Sequence, residues 1–232
     1  MSAPRTPTIF DKDLWAEREE RVLDLCARSL RKLRDCPGLN KEREIEINRK
    51  LFMCMLEANR ELVAVGKGFD YVPQPESANL PDPQGERCVA WEFKVPDFQW
   101  QIIDHLAPAR ESARCYTIEC KRLGSPPRRD WILNEEYVAN GMCRFANESH
   151  RYGNRCRSGA MIGYMQSMSF DSILTEINEH ARKRAVGDLT PAPSRSRDNA
   201  VNRLDSLICR SFPVSPFHLR HLWADLRADE QE

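Results

Sequence analysis

Apolar positions recur at helical spacing from Asp11 to Arg34, where Trp15, Val22, Cys26, Leu30 and Leu33 share one side and Cys36-Pro37-Gly38 ends the run. This spacing predicts an amphipathic helix that caps the core or makes an oligomer contact. A second helix is expected from Asn40, a good N-cap residue, to about Val65, with Ile45, Phe52, Met55, Leu56 and Leu62 as its apolar stripe. Glu44 borders that stripe one turn before Asn48, whereas Glu46 falls with Lys50 and Glu57 on the polar side. Pro73 to Glu86 contains four prolines and reads as an irregular connection into an alternating segment, Val89 to Val95, that is expected to be a half-buried strand.

The pattern then changes to a period of two. In Pro96 to Ile103, Phe98, Trp100 and Ile102 fall on one face and Asp97, Gln99 and Gln101 on the other. In Cys115 to Lys121, Tyr116, Ile118 and Cys120 point inward, and Thr117, Glu119 and Lys121 outward. The connection from His105 to Arg114, with Pro108 inside it, predicts an antiparallel return. Asp97 then lies opposite the neighbourhood of Glu119 and Lys121. Asp104 is the rival acid, expected on the apolar face on the order of 12 Å from Glu119 along the ladder. Further on, Gly124 to Arg129 reads as a turn-rich loop, Asn134 to Phe145 as a short helix, Gly159 to Met165 as a buried strand and Ser169 to Arg184 as a helix. Gly187 to Asn199 is expected to be a mobile loop, and apolar character returns at Phe217 to Leu226.

With 232 residues, 41% hydrophobic and 30% charged, the chain is long enough for one substantial core. The expected division is a helical extension at 1–38, a core at 39–186, and a flexible loop with a C-terminal segment packed on the core at 187–232. No apolar run approaches the length of a bilayer span, and Met1 to Asp13 lacks the apolar centre of a secretory signal, so a cytoplasmic location away from membranes is expected. Nine cysteines without a CxxC pair argue for reduced, structural thiols. Cys115 and Cys120 fall on opposite strand faces, which opposes a shared zinc even though Cys143, His150 and Cys156 follow. There is no HExxH, no GxSxG, and Gly66-Lys67-Gly68 lacks the spacing of a phosphate loop. The formal charge is zero, but Arg110, Arg114, Lys121, Arg122, Arg128 and Arg129 cluster in sequence, followed by Arg144, Arg151, Arg155 and Arg157. Such a stripe suits phosphates.

Carboxylates from neighbouring strands, with a lysine two residues from one of them, are hard oxygen donors suited to Mg²⁺ beside a phosphate. The pattern Pro96-Asp97 followed by Glu119-Cys120-Lys121 resembles the PD-(D/E)xK nuclease superfamily, mainly over residues 40 to 165. The resemblance implies an α/β fold, a restriction-endonuclease-like core with a mixed central sheet flanked by helices, here with an N-terminal helical extension. It implies Asp97 and Glu119 as ligands of Mg²⁺ (or Mn²⁺), the Cys120 carbonyl as a further ligand, Lys121 as the catalytic lysine, and Glu44 as the helix glutamate that joins the site. It further implies an endonuclease hydrolysing phosphodiester bonds, in DNA rather than RNA, in prokaryotic restriction or antiphage defence, as a homodimer or part of a larger defence complex. Arg122, Arg128, Arg129, Tyr137 and Arg144 are the expected nucleic-acid contacts, with Tyr152 beside them. The alternative is a non-catalytic or partner-gated nucleic-acid-binding subunit on the same fold. Pro81-Asp82 with Glu92-Phe93-Lys94 fits the same loose pattern, but prolines flank Asp82 and exclude it from a ladder. Glu92 and Lys94 are therefore expected on a solvated strand face.

Overall fold

A computed structural model describes residues 9–104, 107–192 and 201–227, with side chains from Trp15 onward. Helix α1 spans Ile9–Arg34 and α2 spans Glu44–Ala64. Between them Gly38 takes a left-handed φ of 79° and leads into a short 3-10 turn, Leu39–Lys41. The second helix therefore starts later than Asn40: Arg43 is still extended, and Glu44 and Glu46 place acids in the first turn, where the helix dipole favours them.

Seven strands form one mixed sheet in the order β1-β2-β3-β4-β7-β6-β5. They are β1 Gln74–Pro75, β2 Phe98–Ile103, β3 Ala113–Leu123, β4 Ser158–Met165, β5 Thr190–Pro191, β6 Val201–Ile208 and β7 Phe217–Asp225. The β2 and β3 strands pair antiparallel, as the hairpin pattern predicts, with Phe98 opposite Ile118 and Gln99 opposite Thr117. His105, at the start of their connection, lies outside the described residues. Strands β3 and β4 are parallel, with Glu119 opposite Met161, and so need a crossover. That crossover is helical: α3 Leu133–Tyr137, a π turn Val138–Met142, and α4 Cys143–Ala146. Helix α5, Phe170–Arg184, follows β4 and is capped by the Ser169 hydroxyl, which accepts from the Ser172 N–H.

The sheet separates two apolar clusters. On one face α1 and α2 pack Leu30, Leu51, Met55 and Leu62 against Phe98, Trp100, Tyr116, Ile118 and Cys120. On the other, the crossover and α5 pack Tyr137, Met142, Phe145, Ile173 and Ile177 against Met161, Leu219 and Trp223. The first helix thus shares the main core. The α2 stripe is rotated from the expected one: Ile47, Leu51, Cys54, Met55, Ala58 and Leu62 are buried, whereas Ile45 and Leu56 are exposed. Two apolar rows compete along α2, and contact with α1 and the sheet selects the row that the 45/52/56 spacing does not follow.

Other segments also differ from expectation. Ala90–Phe93 is a 3-10 turn, and Glu92 is buried, accepting the Asp82 N–H at 2.9 Å. Leu189 in the expected loop is buried and clamped by Asn178, whose side chain accepts its N–H and donates to its carbonyl. Residues 193–199 of that loop lie outside the described residues. Val201–Ile208, whose alternation is broken by Asn202, Arg203 and Asp205, is a strand between β7 and the short edge strand β5.

Tyr137 is fully buried and does not face solvent, which corrects its expected role in nucleic-acid contact. Its hydroxyl lies 2.7 Å from His221 Nδ1 and accepts from Trp223 Nε1 at 3.0 Å, while His221 Nε2 lies 2.9 Å from the Ser206 hydroxyl. Burial holds His221 down to about 3. An unfolded histidine titrates near 6.5, so between these values the unfolded chain carries a proton that the native chain does not. Stability is therefore expected to fall as pH drops below about 6.5, by up to about 1.4 kcal/mol per unit from this group. Urea unfolding at neutral and mildly acidic pH checks this: His221→Gln should show a smaller acid loss than the parent, and an unchanged loss would refute the assignment.

Candidate active site

Asp97 immediately precedes β2, one step beyond the Phe98–Ile118 pair, so it stands abreast of Glu119. Its Oδ2 accepts the Cys120 N–H at 2.7 Å, and its Oδ1 accepts from Asn48 Nδ2 on α2 at 2.9 Å. Asn48 is held in turn by the Tyr164 hydroxyl of β4, which donates to its Oδ1 at 2.7 Å. Asp97 is thereby fixed from both neighbouring layers. Asp104 lies at the opposite end of β2, ion-paired with Arg114 at 3.3 Å, and takes no part.

The Lys121 ammonium is the hub. Its Nζ lies 2.8 Å from Glu44 Oε1, 3.0 Å from Glu119 Oε1 and 4.0 Å from Asp97 Oδ2, and it donates to the Cys120 carbonyl at 2.7 Å. Glu44 Oε2 also accepts the Arg122 N–H at 3.3 Å. The structure thus brings Glu44, Asp97, Glu119, Cys120 and Lys121 together. Glu119 accepts from Arg144 Nη1 at 2.6 Å through the same Oε1, while its buried Oε2 has no protein partner.

The outward face expected for Thr117, Glu119 and Lys121 is in fact buried, with Glu119 1% exposed. The crossover covers it. A Cβ at Gly141 would run into Met161 Cε and lie 3.5 Å from Lys121 Cγ, so the glycine lets the helix come down onto β3. The π turn shifts the following residues around the axis, so that Phe145 fills the core while Arg144 reaches Glu119.

Burial and the adjacent Asp97 carboxylate push Glu119 up to about 7, against the pull of Lys121 and Arg144. Burial likewise raises Asp97. Burial alone lowers Lys121, but Glu119, Glu44 and Asp97 together hold it above the usual lysine range. Burial, with Arg144 and Lys94 beside it, holds His150 below the ordinary histidine range. Lys94 and Arg144 thus place positive charge beside a neutral His150, a position that strand periodicity does not suggest for Lys94.

Of the expected nucleic-acid contacts, Arg128 and Arg129 are exposed on the loop after β3, Arg128 with its guanidinium 6.0 Å from the Trp131 ring centre, and Arg122 is half-buried. Arg144 points into the acid cluster. Tyr152 is buried and stacks on Arg144 at 5.9 Å, so it, like Tyr137, is a packing residue. Asn48 and Tyr164 were missed as site residues. The four-residue step from Glu44 to Asn48 puts both on one helix face and is a signal for the first; Tyr164 sits in a uniformly apolar strand that gives none.

Among the described residues, no group of three or more His, Cys, Asp or Glu side chains is placed to hold a metal ion. Chemically, however, the donors fit a hard divalent cation. Asp97, Glu119 and the Cys120 carbonyl surround a position now filled by an ammonium, and Glu119 Oε2 retains an unused lone-pair face. No helix among the described residues is long and apolar enough to cross a membrane. Comparison with protein-family models, curated proteins and solved structures gives no match to this chain.

Proposed function

We propose that the chain is a metal-dependent nuclease of the PD-(D/E)xK type, acting on phosphodiester bonds and on DNA in preference to RNA. The observation that carries this reading is the Lys121 ammonium held among Glu44, Glu119 and the Cys120 carbonyl, with Asp97 facing it across the hairpin. The order α2, β2–β3 hairpin, helical crossover and parallel β4 supports the reading, although the segment before β2 that was expected as a strand is a 3-10 turn.

Asp97, Glu119 and the Cys120 carbonyl would hold Mg²⁺ or Mn²⁺. Once bound, such an ion supplies Lewis-acid charge at the scissile phosphate and lowers the pKa of a coordinated water. Asn48 and the Cys120 N–H orient Asp97. Glu44 keeps Lys121 protonated and aimed at the cluster, where its ammonium hydrogen-bonds the attacking water or the developing phosphorane charge. Arg144, fixed against Tyr152, adds positive charge at the same place.

Purified protein incubated with plasmid, linear duplex, single-stranded DNA and RNA is expected to cleave at least one of them with Mg²⁺ or Mn²⁺ and none with chelator. Glu119→Ala should abolish cleavage while leaving the fold intact. Cleavage that persists in the variant or in chelator would sink the assignment. A partner-gated subunit is the second reading, favoured by one feature: Lys121 and Arg144 both occupy Glu119, a closed resting arrangement. Metal binding without cleavage would identify it.

A further inference from the structure

The outward face of α2 carries a second apolar row. Ile45, Met53, Leu56 and Val63 are 57%, 52%, 45% and 56% exposed, and Phe52 is partly so. At about 100° per residue, Ile45, Phe52, Leu56 and Val63 fall within roughly 40° of one another. Their spacing, seven then four then seven, is that of a helix–helix seam. The opposite side of α2 packs on α1 and the sheet, and Phe52 at the edge of the row reaches that core with part of its ring, so the fold of one chain leaves Ile45, Leu56, Val63 and the outer part of Phe52 uncovered.

We infer that this row is the contact face for a second copy of the chain, paired antiparallel across α2. The flanking charges select that partner. Arg49 and Glu57, and likewise Glu46 and Arg60, are each centred on residue 53. A two-fold axis there sets Arg49 abreast of Glu57 of the second copy and Glu46 abreast of its Arg60, each pairing occurring twice. The apolar pairs follow within one residue: Ile45 with Val63 and Phe52 with Leu56. A parallel pairing would instead oppose arginine to arginine and glutamate to glutamate. Self-complementarity of this kind is what an isologous contact requires. Among the described residues the ion pairs of these acids are long, Glu46 with Arg43 at 3.6 Å and Glu57 with Lys32 at 3.9 Å, so both acids can turn to a partner.

A seam of one helix lies at the small end of interface sizes, below about 1,200 Å² in total, so the dimer is expected to form at micromolar rather than nanomolar concentration. Sedimentation velocity of the full chain from about 1 to about 200 μM tests it. The expected result is a concentration-dependent monomer–dimer equilibrium, weakened about tenfold or more by Arg49→Glu and restored by Arg49→Glu combined with Glu57→Arg. Leu56→Asp should leave only monomer. All three positions are exposed, so the fold tolerates the changes. A parent that stays monomeric throughout, a dimer indifferent to Leu56→Asp, or a double swap that fails to restore association would each overturn the pairing. None of these outcomes depends on cleavage.

Discussion

Replacing Lys121 with methionine is expected to reduce cleavage by about a thousandfold or more while tightening the binding of Mn²⁺. Lys121 Nζ now occupies the Cys120 carbonyl at 2.7 Å and shares Glu119 Oε1 with Arg144. A divalent cation using those oxygens must displace the ammonium from them. Methionine keeps the apolar stem under Gly141 but removes the charge, leaving Glu44, Asp97 and Glu119 with Arg144 as their nearby cation. That surplus negative charge in a buried place favours a divalent ion over water. It also predicts that the metal-free variant is less stable than the parent and regains stability with Mn²⁺ by mass action. Calorimetric titration with Mn²⁺, beside single-turnover cleavage, separates the two effects. Unchanged or weaker Mn²⁺ binding in Lys121→Met would refute competition between ammonium and metal; unchanged cleavage would refute a catalytic lysine.

The hairpin that carries this chemistry was legible because a period of two and a connection containing a proline fix both face and direction. Phe98 opposite Ile118 follows from them, and with it Asp97 abreast of Glu119. Helical period likewise distinguished Glu44, which reaches Lys121, from Glu46, which pairs with Arg43 at the surface. Periodicity assigns residues to faces, however, and says nothing of what covers each face. Alternation put Thr117, Glu119 and Lys121 on the outward face, yet a parallel neighbour on β3 demands a crossover helix, and that helix buries them. Tyr137 misled for the same reason: on a short polar helix an aromatic resembles a base-stacking platform, whereas its hydroxyl is satisfied by His221 and Trp223 from a strand more than eighty residues away. The α2 stripe failed because two apolar rows share that helix, and only the placement of α1 decides between them.

Arg210→Met is expected to destabilise the protein by about 3–5 kcal/mol, the largest stability effect of any single substitution considered. Arg210 is 8% exposed, and its guanidinium donates to five main-chain carbonyls among the described residues: Val214 at 2.7 Å, Phe145 at 3.3 Å, Tyr152 at 3.1 Å, Gly153 at 3.0 Å and Cys156 at 3.2 Å. It lies 3.9 Å from the Phe217 ring centre and 4.3 Å from that of Phe212, and burial lowers its pKa to about 10. Methionine fills much of the volume but removes the Arg210 donor from the Val214, Phe145, Tyr152 and Cys156 carbonyls, each carrying a desolvation penalty of about 1–3 kcal/mol that local relaxation only partly relieves, while the Gly153 carbonyl keeps the Cys156 N–H at 3.0 Å. Lysine, with three donors on a point charge instead of a planar fork, should recover part of the loss and not all. Denaturant unfolding of both variants measures this, and a loss below about 1 kcal/mol for Arg210→Met would mean that the carbonyls find other partners. The effect reaches the candidate site through the backbone. Three of the five carbonyls, those of Tyr152, Gly153 and Cys156, belong to the segment between α4 and β4, a fourth is that of Phe145 beside Arg144 in α4, and the segment carries Tyr152, the ring on which Arg144 rests. Loosening that segment should move Arg144 relative to Glu119, so Arg210→Lys is expected to lose cleavage beyond what its residual folded fraction explains.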